Sequence, residues 1–148
     1  SLVSFFLQAN STLAEDTIHY PITHNADIAR MPDNFDGEPA AIKVKVAEIQ
    51  QGIKNKPYIR ATFSDGETIW LAPLVNTNGY IAVDDIIHVL GYVSKLNENL
   101  DGEVTAYNKT GIHFLSICYY NFTTGNEIFT PFKSQSNQCT RWRDGLIN

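Results

Sequence analysis

The sequence predicts a mainly β fold: a small barrel of five or six strands, preceded by an N-terminal helix or arm. Three observations carry this. Short segments alternate apolar and polar residues with the period of two that a half-buried strand requires; Ala41 to Ile49 sets Ile42, Val44 and Val46 against Lys43 and Lys45. Turn residues punctuate these segments at short intervals, with Asp65-Gly66 the clearest hairpin signal. Val83 to Val93 is apolar on both faces, with Ile87, Val89 and Val93 opposite Ile86, Leu90 and Tyr92. A strand of that kind is central in a sheet or barrel wall. Gly91 in its middle marks a sharp bend or a close approach of another backbone.

Taken in order, residues 1–38 read as a helix or extended arm, 39–132 as the barrel, and 133–148 as a polar tail packed on or beside it. Ser1 to Asp16 opens with an apolar run, Leu2 to Leu7, followed by small residues Thr12-Leu13-Ala14. That resembles the end of a secretory signal. The competing reading is an amphipathic helix with Leu2, Phe5, Phe6 and Ala9 on one side. Pro21, Pro32, Gly37 and Pro39 break the rest of the arm, leaving room for one helical turn around Asp27 to Arg30. Strands follow at Ala41–Ile49, Tyr58–Phe63 and Thr68–Leu71, a three-stranded meander. Ala72 to Asp85 is a connection with no room for a long helix. Ile86–Lys95 is the central strand, and shorter strands are expected at Glu103–Tyr107, Ile112–Phe122 and Glu127–Phe132.

Composition narrows the function classes. At 148 residues the chain is one domain, and its 43% hydrophobic content is enough for a core. Eleven basic residues against sixteen acidic ones leave a formal net charge of −5, which disfavours general nucleic-acid binding without excluding a local basic groove. No stretch approaches the ~20 apolar residues of a membrane-spanning helix. Cys118 and Cys139 are either a disulfide closing a loop of about 20 residues or two unrelated thiols; an exported chain favours the bond.

No catalytic motif stands out. Asp84-Asp85, and Asp65 with Glu67, are carboxylate pairs in turns, where adjacent groups point apart. The four histidines form no nucleophile–base arrangement with the serines. His19, His24 and Asp27 match no common zinc spacing. A non-enzyme with no cofactor and no metal is therefore expected. The three glycan-acceptor patterns, at Asn10, Asn108 and Asn121, are about what chance gives in a chain this rich in Asn, Ser and Thr.

The order of meander, connection and the run Asp85-x-Ile87-x-Val89-x-Gly91-x-Val93, with Phe35-Asp36-Gly37 ahead of the first strand, resembles an OB-fold over roughly residues 35–122. It is similar in character to acidic OB-fold proteins exported by bacteria. The connection after Leu71 departs from the family in being short for the usual helix. The resemblance implies a binding face on the second and third strands, for an oligonucleotide, an oligosaccharide or a protein. It also implies a periplasmic or secreted location, with a protein or envelope partner.

On that face the candidate ligand-binding residues are Tyr58, Arg60 and Trp70, whose rings and guanidinium suit stacking on bases or sugars. Lys43 and Lys45, with Lys54 and Lys56, could extend it as a positive stripe. The plainer alternatives are packing for the aromatics and a solvated edge for the lysines. Tyr119, Tyr120 and Phe122 pose the same choice between core and an exposed aromatic patch. Single-stranded nucleic-acid binding is the second reading, and an enzyme with a loop-built site the third.

Overall fold

The computed structural model describes residues 27–147. Expectations placed on residues 1–26, the signal-like run and the roles of His19 and His24 among them, lie outside the described residues.

The chain enters through a single helical turn, α1 (Asp27–Arg30), and a 3₁₀ turn, Pro32–Phe35. Met31-Pro32 ends the first because a residue before proline is pushed out of the helical region. Ile28 of α1 is fully buried in the barrel core. Six strands follow: β1 (Ala40–Gln51), β2 (Pro57–Thr62), β3 (Thr68–Pro73), β4 (Ile86–Lys95), β5 (Ile112–Asn121) and β6 (Glu127–Phe129). Between β4 and β5 lies one helical turn, α2 (Glu98–Asp101), and the chain closes with α3 (Lys133–Ile147).

β1 is long enough to serve two neighbours. Its first half pairs antiparallel with β4, Ile42 opposite Val89, and its second half with β2, Ile49 opposite Ile59. A bulge between Val46 and Glu48 bends the strand between the two partners. β2 and β3 form the hairpin that Asp65-Gly66 signals. β5 pairs antiparallel with β4 and parallel with β3, Leu71 opposite Phe114, which closes β1–β5 into a five-stranded mixed barrel. β6 adds an extra strand beside β5. This order is compatible with an OB-like fold.

The central position of Ile86–Lys95 follows from its two apolar faces. Ile87, Val89 and Val93 point into the barrel, while Leu90 and Tyr92 face outward under α3. Gly91 is a case of close approach: a Cβ there would lie 2.0 Å from the Leu115 carbonyl oxygen and 2.8 Å from the Phe114 ring. The β4–β5 register shifts at this point.

Three segments differ from expectation. The last strand stops at Phe129 rather than Phe132, since Pro131 has no amide to donate to a ladder. Glu103–Tyr107 is not a strand. Its amides bond locally, Val104 to the Asp101 carbonyl and both Tyr107 and Asn108 to that of Val104, so the segment turns and sets Val104 and Tyr107 against the outer face of β2 and β3. The polar tail is the helix α3. Cys139, Trp142 and Leu146 lie along one side of it and pack on Ala41, Leu90 and Ile117. Cys118 and Cys139 are disulfide-bonded, with Cα atoms 5.7 Å apart, tying α3 to β5.

Candidate ligand-binding site

Alternation places Tyr58, Arg60 and Trp70 together on the outer face of β2 and β3, with Arg60 opposite both Trp70 and Glu48. The aromatics do not lie open there. Residues 96–111, the β4–β5 connection, fold across them, and Val104, Leu96 and Tyr107 pack on the Tyr58–Trp70 pair as a small third apolar cluster. The two rings stack on each other at 5.1 Å, and Tyr58 and Trp70 are only 1% and 5% exposed. Tyr107 tilts over Trp70 at 5.4 Å, and its hydroxyl donates to the Gln51 carbonyl. Neither Tyr58 nor Trp70 offers a free face to a ligand in this arrangement.

A polar network holds the covering segment down. Asn108 Nδ2 donates to the Tyr58 hydroxyl at 2.7 Å and to the Ile112 carbonyl at 2.9 Å. The hydroxyl has one proton of its own, and His113 Nδ1 lies 2.8 Å away to accept it. That requires the His113 tautomer protonated on Nε2. Burial pushes the Tyr58 phenol well above its usual range and the His113 imidazole below its own, the latter partly offset by Asp101. Both groups are therefore neutral near pH 7.

Arg60 Nε donates to Glu48 Oε1 at 2.6 Å. That bond, with a second from Gln50, holds the Glu48 carboxyl below the usual carboxylate range. Glu48 thus interrupts the positive stripe that the lysines and Arg60 would otherwise form. Lys43 and Lys45 lie in the half of β1 that pairs with β4, opposite His88 and Ile86. Lys45 is 4.0 Å from Asp84, with both side chains exposed.

The open feature on this side is a groove of about 210 Å³ where the β1–β2 loop, the end of β3 and the covering segment meet. Pro57, Pro73, Leu74 and Leu115 supply apolar walls, Tyr58 contributes its buried flank, and Lys54, Lys56 and Asp101 bring charge. Asp101 is held in place by the Asn97 amide, which donates to Oδ2 at 2.6 Å. The loop that carries the lysines is tightly wound. Lys54 and Asn55 both adopt left-handed backbone angles, φ 54° and 63°, and the Gly52 amide bonds the Lys56 carbonyl at 2.7 Å. Left-handed angles at two successive non-glycine residues cost energy, and such strain clusters at binding sites.

The sequence alone does not place Asp101, Asn108 or His113 on this side of the barrel. Their signal was local: Asn97 four residues before Asp101, and Asn108-x-Thr110-Gly111, are capping and turn patterns that give no hint of which strand the loop will cover. Of the three glycan-acceptor asparagines, Asn10 lies outside the described residues, and Asn108 and Asn121 are 2% and 0% exposed, so neither of these two offers its side chain to solvent. Compared with protein-family models and with curated proteins, the sequence finds no match.

Proposed function

We propose that this domain is a non-enzymatic binding module of an exported bacterial protein, an OB-like barrel that engages a protein or oligomeric ligand at the Lys54–Lys56–Asp101 groove. The observation that carries the reading is the size and place of the groove. At about 210 Å³ it is smaller than the ~300–1,000 Å³ of sites that enclose a drug-sized ligand. It suits one protruding side chain or ring of a larger partner. It also lies between the two loops that flank the binding face of the family the sequence resembles. The buried Cys118–Cys139 bond supports export, since such bonds persist in oxidising compartments.

A peptide-display selection on the oxidised protein tests this, followed by anisotropy titration of the selected peptides against wild type and Leu74→Asp. Leu74 is 40% exposed on the groove wall, so the variant changes the site and spares the core. The reading expects selected peptides to lose at least about ten-fold in affinity for the variant. Peptides indifferent to Leu74→Asp would refute it. A labelled oligothymidylate, bound at low salt and released at physiological salt, would favour single-stranded nucleic acid instead. Lys54 and Lys56 are what that second reading rests on; the covered rings of Tyr58 and Trp70 and the net charge of −5 weigh against it.

A further inference from the structure

The outer face of β1, β4 and β5 is laid out in cross-strand rows. Ala41, Leu90 and Cys118 form one, covered by Cys139 and Trp142 of α3. The next is Lys43, His88 and Tyr120. The one after is Lys45 and Ile86, continued by Phe122, whose amide bonds the Ile86 carbonyl at 2.9 Å. In these last two rows Lys43 and Lys45 are exposed, Ile86 and Tyr120 are half-buried, and Phe122 is 44% exposed. Phe122 leans on His88 at 4.3 Å and meets the edge of Tyr120 at 4.6 Å.

The layout has a specific shape. Two cations two residues apart line β1, and two aromatics two residues apart line β5. The floor between them is β4. Same-side residues of a strand repeat at about 6.6–6.8 Å, and neighbouring strands lie about 4.8 Å apart. An extended peptide lying edgewise above β4 sends alternate side chains to its left and right at that same repeat. Acidic residues at alternate positions would therefore meet Lys43 and Lys45, and apolar residues between them would meet Tyr120 and Phe122.

Charge points the same way. Among the described residues no salt bridge engages Lys43, and that of Lys45 with Asp84 joins two exposed groups at 4.0 Å, an arrangement worth little. Two such lysines side by side on a chain of net charge −5 present a local positive strip to an anionic partner. Nucleic acid fits less well. Base stacking needs free ring faces, and the Phe122 ring lies against His88 and Tyr120.

We propose that this face is a second interaction surface, which binds an extended peptide segment alternating acidic and apolar residues. It is separate from the groove beside β2 and β3. The probe is a fluorescein-labelled octapeptide alternating Glu and Leu. It is titrated by anisotropy against wild type, a Lys43→Gln/Lys45→Gln double variant, Phe122→Ser, and the groove variant Leu74→Asp. A peptide of the same composition with Glu and Leu in two blocks, and an oligothymidylate, are the controls.

The proposal expects wild type to bind the alternating peptide with an affinity that falls as salt rises. The double variant and the block peptide should each weaken binding about ten-fold or more. Phe122→Ser should weaken it with the salt dependence kept, and Leu74→Asp should leave it unchanged. The altered side chains are exposed, and matching circular dichroism confirms the fold of each variant. No binding by wild type would overturn the proposal. So would equal affinity for the block peptide, an unaffected double variant, or preference for the oligothymidylate. Loss of binding in Leu74→Asp alone would assign the peptide to the groove and overturn it as well.

Discussion

Replacing Tyr58 by Phe removes one oxygen from the centre of the covering network and leaves the packing in place. The ring still stacks on Trp70 at 5.1 Å, so no cavity forms. Asn108 keeps its bond to the Ile112 carbonyl at 2.9 Å. His113 Nδ1 fares worse: it loses the hydroxyl 2.8 Å away, in a residue that is 1% exposed. A buried polar atom left without a partner costs about 1–3 kcal/mol, and a typical hydrogen bond contributes about 0.5–1.5 kcal/mol net. Removing the desolvated hydroxyl itself gives a little back. The expected loss is about 2 kcal/mol. For a domain of this size that lowers the melting temperature by roughly 4–8 °C. Thermal melts followed by circular dichroism measure the loss, and Trp70 fluorescence reports whether residues 96–111 still cover the face. Nitrogen NMR should show His113 losing its single Nε2–H tautomer. A loss under about 0.5 kcal/mol with the tautomer unchanged would refute the network as described.

Three further outcomes follow from the packing. Gly91→Ala sets a methyl 2.0 Å from the Leu115 carbonyl oxygen; backbone yields less readily than a side chain, so denaturant unfolding should show a loss towards the upper end of about 1–3 kcal/mol, and a loss below about 1 kcal/mol would contradict the close approach. Opening Cys118–Cys139, 21 residues apart in sequence, should cost about 3 kcal/mol on the chain-entropy account; melts of a Cys118→Ala/Cys139→Ala variant check this, and an unchanged midpoint would mean that the α3 contacts suffice alone. Burial, aided by the charge of Lys43, lowers the His88 pKa from 6.5 to about 4. The neutral imidazole is then the folded form, and the unfolded chain takes up the proton first. Stability from this group is full above pH 6.5 and falls as pH drops towards 4, by at most about 3 kcal/mol. Denaturant midpoints at pH 7 and pH 4 should differ less in His88→Gln than in wild type, and equal slopes in the two proteins would count against it.

The sequence by itself determined the strands whose residues declare their own environment. Ile42, Val44 and Val46 alternate with lysines, so β1 needs one buried face. Ile86–Lys95 is apolar on both sides, so β4 had to lie between two layers, and Asp65-Gly66 specifies a hairpin whatever surrounds it. These are local properties: the period of two and the turn angles belong to the chain before it folds.

Tertiary structure decided what covers each outer face, because that depends on segments distant in sequence. The helix in 133–147 was hidden because three apolar residues on one side, Cys139, Trp142 and Leu146, acquire meaning only against Leu90 and Ile117 of strands already in place. The same holds for the site. Tyr58, Arg60 and Trp70 were placed on one face by alternation, but whether that face met solvent rested on residues 96–111, which pack over it through Val104 and Tyr107. Lys43 and Lys45 were legible as outward-facing. That their row continues into His88 and Tyr120, while Arg60 is held by Glu48, follows from register, and register is fixed by pairing between strands that the sequence order of this chain keeps apart.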